Sequence, residues 1–100
     1  MEKWSNNRLM VIGAKAQVRR FQDSGWGKVL GARHGEWLES SPGRFVCEFE
    51  TDAPPLDPLR NLSRRWPGLT LLLDYEEEEK RIKGLVKAQT GQIAHCQFEY

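Results

Sequence analysis

The sequence predicts a single α+β domain over residues 1–100, in which an antiparallel sheet carries two helices on one face. Three observations lead to this fold class. The length of 100 residues is that of one typical domain. Apolar residues alternate with polar ones in several short segments, as in half-buried strands, and recur at spacings of three and four in two others, as in amphipathic helices. Glycine and proline clusters separate these segments and mark turns.

The first strand and the first helix follow each other directly. Asn7–Gly13 is rich in β-forming apolar residues and stops at a glycine, which predicts a strand. Ala14, Val18 and Phe21 then recur at spacings of four and three, so a helix with one buried stripe should follow. This helix should end at residues 23–25, which read Asp-Ser-Gly.

A glycine-rich stretch and a hairpin come next. Four glycines fall within residues 25–35, which predicts a loop. Glu36–Ser40 and Arg44–Thr51 are typical of two hairpin arms, and the Ser-Pro-Gly sequence between them favours a turn. Alternation along the second arm gives it one apolar face, formed by Phe45, Cys47 and Phe49.

The second half of the chain predicts another helix, another strand and a closing hairpin. Asp57 should cap the helix with Pro58 at its first position, and Pro67-Gly68 should end it. Its buried face would carry Leu59, Leu62 and Trp66. Leu69–Tyr75 predicts a strand, and residues 76–80 predict a solvated acidic turn or an extension of that strand. The last hairpin should consist of Ile82–Ala88 and Ile93–Tyr100.

In chain order these elements run strand, helix, strand, strand, helix, strand and hairpin. This is the ferredoxin-like βαββαβ plan, an antiparallel sheet with two helices on one face, here with an added C-terminal β-hairpin. The chain is too short for a second core, so the whole of residues 1–100 should form one ferredoxin-like domain.

Several motifs along the chain resemble those of the YubB ferredoxin-like domain family of plasmid- and phage-associated bacterial proteins. They are Trp4–Leu9 running into Val11-x-Gly13, Trp26-Gly27, Phe49-x-Thr51 with Pro54-Pro55, Trp66-Pro67, and Tyr75-x-Glu77 followed by Gly84. The resemblance implies a ferredoxin-like fold and an accessory role in a mobile element, without an assigned activity. Two tryptophans of the family pattern are absent from this chain. The family's Trp-Gly-Thr-Lys-Trp corresponds to residues 26–30, where Leu30 replaces the second tryptophan. The family's Thr-Ala-Trp-Ser-Pro-Pro corresponds to residues 51–55, which are one residue shorter and lack the tryptophan.

Charge is balanced overall but unevenly distributed. Fifteen Lys and Arg oppose 14 Asp and Glu, a net charge of +1, which disfavours a protein that binds nucleic acid over its whole surface. Residues 1–44 are nevertheless basic and residues 45–100 acidic. A local basic surface therefore remains as an alternative, with a weak nucleic-acid site on the helices formed by Arg19, Arg20, Arg60, Arg64 and Arg65.

Catalytic and metal chemistry find little support in the sequence. Cys47 and Cys96 lack a Cys-x-x-Cys spacing and are interpreted as small buried hydrophobic residues. The other residues that could bind a metal ion are His34 and His95. His95 and Cys96 are adjacent in a strand and should point to opposite sides of the sheet, so they are unsuited to bind the same ion. We therefore expect no metal site, no cofactor and no enzymatic activity.

The sheet face away from the helices carries the functional hypothesis. If residues such as Leu9 and Phe45 face the helices, alternation places Met10, Ile12, Val46, Leu72 and Leu85 on the other side. Such an apolar surface is covered either by Trp26, Trp37 or the 25–35 loop, or by an unknown protein partner or homodimer. The candidate partner-binding residues are Met10, Ile12, Val46, Leu72 and Trp26.

Together these features predict a small non-catalytic protein-interaction module, and the family resemblance implies that it belongs to a plasmid or phage-derived element. The sequence has no apolar run of the roughly 18 residues that a membrane span needs, so no membrane contact is expected. The first residues carry no secretory signal pattern, which favours the cytoplasm.

Overall fold

The computed structural model describes residues 4–100. Strands and helices follow one another in the order β1 (Ser5–Ile12), α1 (Lys15–Gln22), α2 (Trp26–Leu30), β2 (Arg33–Ser41), β3 (Arg44–Thr51), α3 (Leu56–Arg65), β4 (Thr70–Glu77), β5 (Ile82–Gln89) and β6 (Gln92–Glu99).

The strands form one antiparallel sheet in the order β2-β3-β1-β4-β5-β6. β1 lies between β3 and β4, so that Leu9 is opposite Cys47 on one side and Leu73 on the other. β5 and β6 form the C-terminal hairpin through Thr90 and Gly91, whose φ angles of 49° and 81° suit a two-residue hairpin turn. The structure confirms the predicted α+β class and the antiparallel sheet.

Every second residue of the inner strands is buried against the helices. The predicted helix-facing side chains form one hydrophobic core, which contains Leu9, Val11, Phe45, Cys47, Phe49, Leu69, Leu71 and Leu73. Val18 and Phe21 of α1 and Leu59 and Leu62 of α3 pack into the same core. The helix-facing side of the sheet is therefore as predicted.

The glycine-rich segment 25–35 contains a third helix rather than only a loop. Gly25 and Gly31 flank α2 with φ angles of 76° and 72°, the left-handed conformation that glycine adopts at low cost. Both glycines therefore cap a helix, and Trp26 and Leu30, four residues apart, turn their side chains into the core. The predicted count of two helices was wrong for this reason. Within residues 4–100, every helix is too short and too polar to cross a bilayer.

Other predicted boundaries also differ from the structure, since β1 begins at Ser5 and β4 extends to Glu77. Asp57 does not cap α3, because the helix begins at Leu56 and Asp57 lies in its first turn, where a carboxylate still favours the positive end of the helix dipole. Pro58 is tolerated at the third helical position, since first-turn N–H groups have no intrahelical acceptor. β2 begins at Arg33, three residues before the predicted strand, and it is irregular at two places along its pairing with β3.

Candidate docking surface on the open sheet face

The sheet face turned away from the helices is called the open face here. Strand register places Met10 opposite Leu72, and both side chains are half-buried on this face. Ile12 and Leu85 are more accessible, at 40% and 55% exposure. Four of the apolar residues predicted for this side are thus at least partly exposed to solvent.

Two of the predicted partner-binding residues contribute little to the open face. Val46 lies on it, opposite Met10 in β1 and Glu39 in β2, but is only 6% exposed because longer side chains flank it on both sides. Trp26 was placed wrongly. Its ring packs on the helix side, with ring centroids 5.6 Å from those of both Phe45 and Phe49.

Neither of the two tryptophans that were considered as possible covers of the open face lies on it. Trp37 is opposite Cys47 in the register and its ring lies 4.8 Å from that of Phe45, so it belongs to the helix side of the sheet. Trp26 is held in α2 on that same side. The open face is therefore accessible among the described residues, and the interpretation that a tryptophan folds across it was wrong.

An apolar groove runs along the half of the open face nearest the C-terminal hairpin. Its volume is about 480 Å³, and its apolar walls are Met10, Leu72, Leu85, Ala94 and Cys96. Cys96 is exposed here, which corrects the prediction that it is buried. The reason is its place in β6, an edge strand whose residues are at least partly exposed on both sides of the sheet.

A larger acidic depression of about 880 Å³ adjoins the groove, and the two share Arg8, Asp74 and Leu85. Six carboxylates line the depression: Glu36, Glu48, Glu50, Asp74, Glu76 and Glu78. Its two fully charged cations are Arg8 and Lys83, and Arg8 is paired with Glu48 at 3.3 Å. This end of the open face therefore carries an excess of negative charge.

The polar residues of the depression were missed by the sequence analysis. Asn6, Arg8, Asp74 and Lys83 occupy alternate strand positions in phase with Met10, Leu72 and Leu85. This alternation along each strand was the sequence signal that could have placed these polar residues on the open face. It assigns a side of the sheet to each polar residue, but the order of the strands decides which of them become neighbours.

The helices form a separate, basic surface. Residues 14–31 and 54–68 contain seven Lys and Arg but only Asp23 and Asp57 as acids. The five predicted arginines are all exposed on this basic helix layer, as Arg19 and Arg20 of α1 and Arg60, Arg64 and Arg65 of α3. The ends of α1 and α3 are brought together by an edge contact between Phe21 and Trp66, with ring centroids 5.6 Å apart.

The candidate nucleophiles and ligands lie apart from one another. Cys47 is buried, and this burial raises the pKa of its thiol to about 12. His95 is engaged by Tyr75, whose Oη lies 2.6 Å from the ring Nε2. His34 is on β2 and lines the acidic depression instead. Among residues 4–100, no three His, Cys, Asp or Glu side chains converge as a metal ion would require.

Comparison with models of known protein families, with curated proteins and with solved structures finds no match to this chain.

Proposed function

We propose that the chain is a non-catalytic protein-interaction module that binds its partner on the open face of the sheet. The observation that carries the proposal is the apolar groove, bounded by Met10, Leu72 and Leu85, beside the acidic depression. An exposed apolar patch rimmed by charged groups is typical of protein–protein contact sites.

The charges of the adjoining depression define the chemistry of the partner more than those of the groove itself, because Arg8, Asp74 and Lys87 line the groove whereas six carboxylates line the depression. Asp74 borders both the groove and the depression and is exposed, and no ion pair engages it among the described residues. A bound Lys or Arg would meet this carboxylate while an apolar side chain next to it fills the groove. The expected partner is therefore a protein segment in which apolar side chains lie next to basic ones.

We also propose a fold type and a cellular role for this module. We infer a ferredoxin-like βαββαβ core, and the order β2-β3-β1-β4 of the first four strands supports it. β5 and β6 would then be the added hairpin, and α2 an insertion. The resemblance to the YubB family supports a role as an accessory of a plasmid or phage-derived element, in the cytoplasm of a bacterium.

Selection from a library of random linear peptides tests the docking surface. The selected peptides are expected to combine apolar residues with Lys or Arg, and to bind more weakly as salt is raised. Leu85→Asp and Leu72→Asp should abolish their binding, because each places a carboxylate in the apolar groove. Val29→Asp is the matched control, since Val29 is 39% exposed on α2, in the helix layer.

The proposal fails if the selected peptides show no basic residues. It also fails if they bind Leu85→Asp, Leu72→Asp and Val29→Asp equally well. Leu85 is exposed, so its substitution should leave folding intact and give a clean result even where Leu72→Asp unfolds the protein.

A second candidate function is weak nucleic-acid binding by the basic helix layer. The charge segregation favours it, because the five arginines share the segments 14–31 and 54–68, which contain only two acids. Gel-shift titration at several salt concentrations should show binding that weakens as salt increases, and Arg64→Glu with Arg65→Glu should remove it. Lys87→Glu, an exposed charge reversal on β5, is the control. Absence of binding at low ionic strength eliminates this candidate.

A further inference from the structure

The two edge strands of the sheet differ in regularity. β2 is interrupted twice along its pairing with β3, between Arg33 and Glu36 and between Trp37 and Glu39, and His34 within it has a φ of 54°. β6 pairs with β5 over all eight residues without a register shift. Bulges protect an edge from pairing with another chain, whereas a regular edge invites it.

The hydrogen bonds between β5 and β6 show which backbone groups of β6 point away from β5, toward the free edge of the sheet. The N–H of Tyr100 donates to the carbonyl of Arg81 at 2.9 Å, so this pair is a hydrogen-bonded one. Such pairs alternate along an antiparallel ladder. Even-numbered residues of β6 therefore bond to β5, and the N–H and C=O groups of Ile93, His95, Gln97 and Glu99 point away from it.

We propose that β6 pairs with β6 of a second copy of this chain, antiparallel, about an axis at Cys96. This inference goes beyond the proposed function, since it uses the outward backbone groups of the edge strand, although Ala94 and Cys96 of that strand also line the groove. In this register Ile93 bonds to Glu99 of the second copy, and His95 to Gln97 of the second copy. All four outward-facing residues are then hydrogen-bonded.

Neighbouring registers use fewer of these groups. Moving the axis to His95 would place Glu99 opposite Gly91, which belongs to the hairpin turn. Moving it to Gln97 would place Ile93 opposite a position beyond β6. The axis at Cys96 is the one at which the outward groups of the two strands match completely.

Side chains across this pairing bring no like charges together. On the open face, Ala94 would lie opposite Phe98 of the second copy, a small residue beside a ring that is 51% exposed in the single chain. Cys96 would lie opposite Cys96 of the second copy. This is a non-hydrogen-bonded pair of the antiparallel ladder, in which the two side chains are close together. Glu99 is the only carboxylate or Lys/Arg in the strand, and it would face Ile93.

Light scattering over a range of protein concentrations tests the pairing. The wild type is expected to form a dimer, and Gln97→Pro a monomer, because proline removes an outward N–H that β5 does not use. Gln97→Ala is the matched control. It loses the same contact to Tyr75 but keeps the N–H, and so should remain a dimer. A monomeric wild type, or a Gln97→Pro dimer as stable as the Gln97→Ala one, overturns the proposal.

Disulfide formation tests the register and does not depend on whether Gln97→Pro folds. With diamide, which accepts the two electrons and two protons released by two thiols, the wild type should form a covalent dimer through Cys96. Cys96→Ser should not, because Cys47 is buried. A wild-type dimer whose Cys96 thiols do not join refutes the proposed register.

The two proposals fail separately. Leu85→Asp should abolish peptide binding while leaving the dimer intact, whereas Gln97→Pro should abolish the dimer while leaving peptide binding intact. Loss of both properties in either variant would show that dimer and docking surface are one interface, and would contradict the separation proposed here.

Discussion

The ring of Tyr75 lies over Gly84, its direct neighbour on the next strand of the sheet. A Cβ atom on Gly84 would collide with Cζ, Cε2 and Oη of the tyrosine. The ring therefore occupies the space that a side chain at position 84 would take. Its hydroxyl reaches past β5 to β6, where it donates to Oε1 of Gln97 at 2.8 Å. One side chain thus ties β4 to both strands of the C-terminal hairpin.

Gly84→Ala should destabilise the fold, because the added methyl group displaces the Tyr75 ring. Overpacking of this kind costs about 1–3 kcal/mol, and denaturant unfolding would measure the change in the free energy of unfolding. Gly35→Ala is the control, since a Cβ at Gly35 meets no atom within 4 Å. Equal stability of the two variants would contradict the close packing of Tyr75 on Gly84.

The two thiols should react at very different rates. Cys96 is exposed, whereas burial raises the pKa of Cys47 to about 12 and leaves little thiolate at neutral pH. A thiol reagent such as DTNB should therefore titrate one cysteine per folded chain and both after unfolding. Cys96→Ser should remove the rapid reaction. Rapid labelling of Cys47 in that variant would contradict its burial.

A buried polar cluster at the start of β1 should contribute to stability. Asn7 donates through Nδ2 to Oγ1 of Thr51 at 2.9 Å and to the carbonyl oxygen of Phe49 at 3.3 Å, and it accepts a hydrogen bond from Ser5 at 3.0 Å. Asn7→Ala removes the acceptor of the buried Ser5 hydroxyl and one partner of Thr51, whose hydroxyl still donates to the carbonyl of Ala53 at 2.6 Å, and this loss should cost about 1–3 kcal/mol in the free energy of unfolding.

Asn6→Ala is the matched control for this cluster. Asn6 precedes Asn7 in β1 but faces the open side of the sheet, so its removal should change stability by no more than about 0.5 kcal/mol. If both alanine variants unfold at the same denaturant concentration, the cluster does not stabilise the fold.

Both tyrosines should titrate above their usual pKa in the folded protein. Burial raises the pKa of Tyr75, and the hydrogen bond that Tyr100 donates to Glu76 raises the pKa of Tyr100. The unfolded chain therefore loses these protons first, and the free energy of unfolding should fall as pH rises above about 10. Absorbance titration of tyrosinate in the folded and unfolded protein would measure the difference.

Replacement of both tyrosines by phenylalanine provides the comparison. The double variant should lose less stability than the wild type over the same rise in pH, because it has no phenol to ionise. A wild-type tyrosinate titration that is unchanged by unfolding would contradict the raised pKa values.

Alternation was sufficient to assign the sides of the inner strands. Leu9, Cys47 and Leu73 lie on successive strands, and a period of two fixes their common face whichever strands are neighbours. The order of the strands could not be deduced in the same way, since it depends on pairings between residues far apart in the chain. The acidic depression combines residues from several strands, and it was missed because their neighbours in the sheet were not known.

The errors came from residues with two physical roles. Gly25 and Gly31 are typical of loops, but here they cap α2, and the spacing of four between Trp26 and Leu30 was the signal for that helix. Cys96 was expected to be buried because cysteine usually is. Burial of a strand residue also depends on the place of its strand in the sheet, and Cys96 lies in the edge strand β6, none of whose residues is buried.

The irregularities of β2 limit how far this sheet can grow. Two chains joined through β6 would present β2 at both outer ends, where the bulged backbone is poorly matched to a further strand. Among the described residues, each chain has only one regular edge strand, so association would stop at the dimer. The uneven edges would thus yield a discrete pair and prevent polymerisation into fibres.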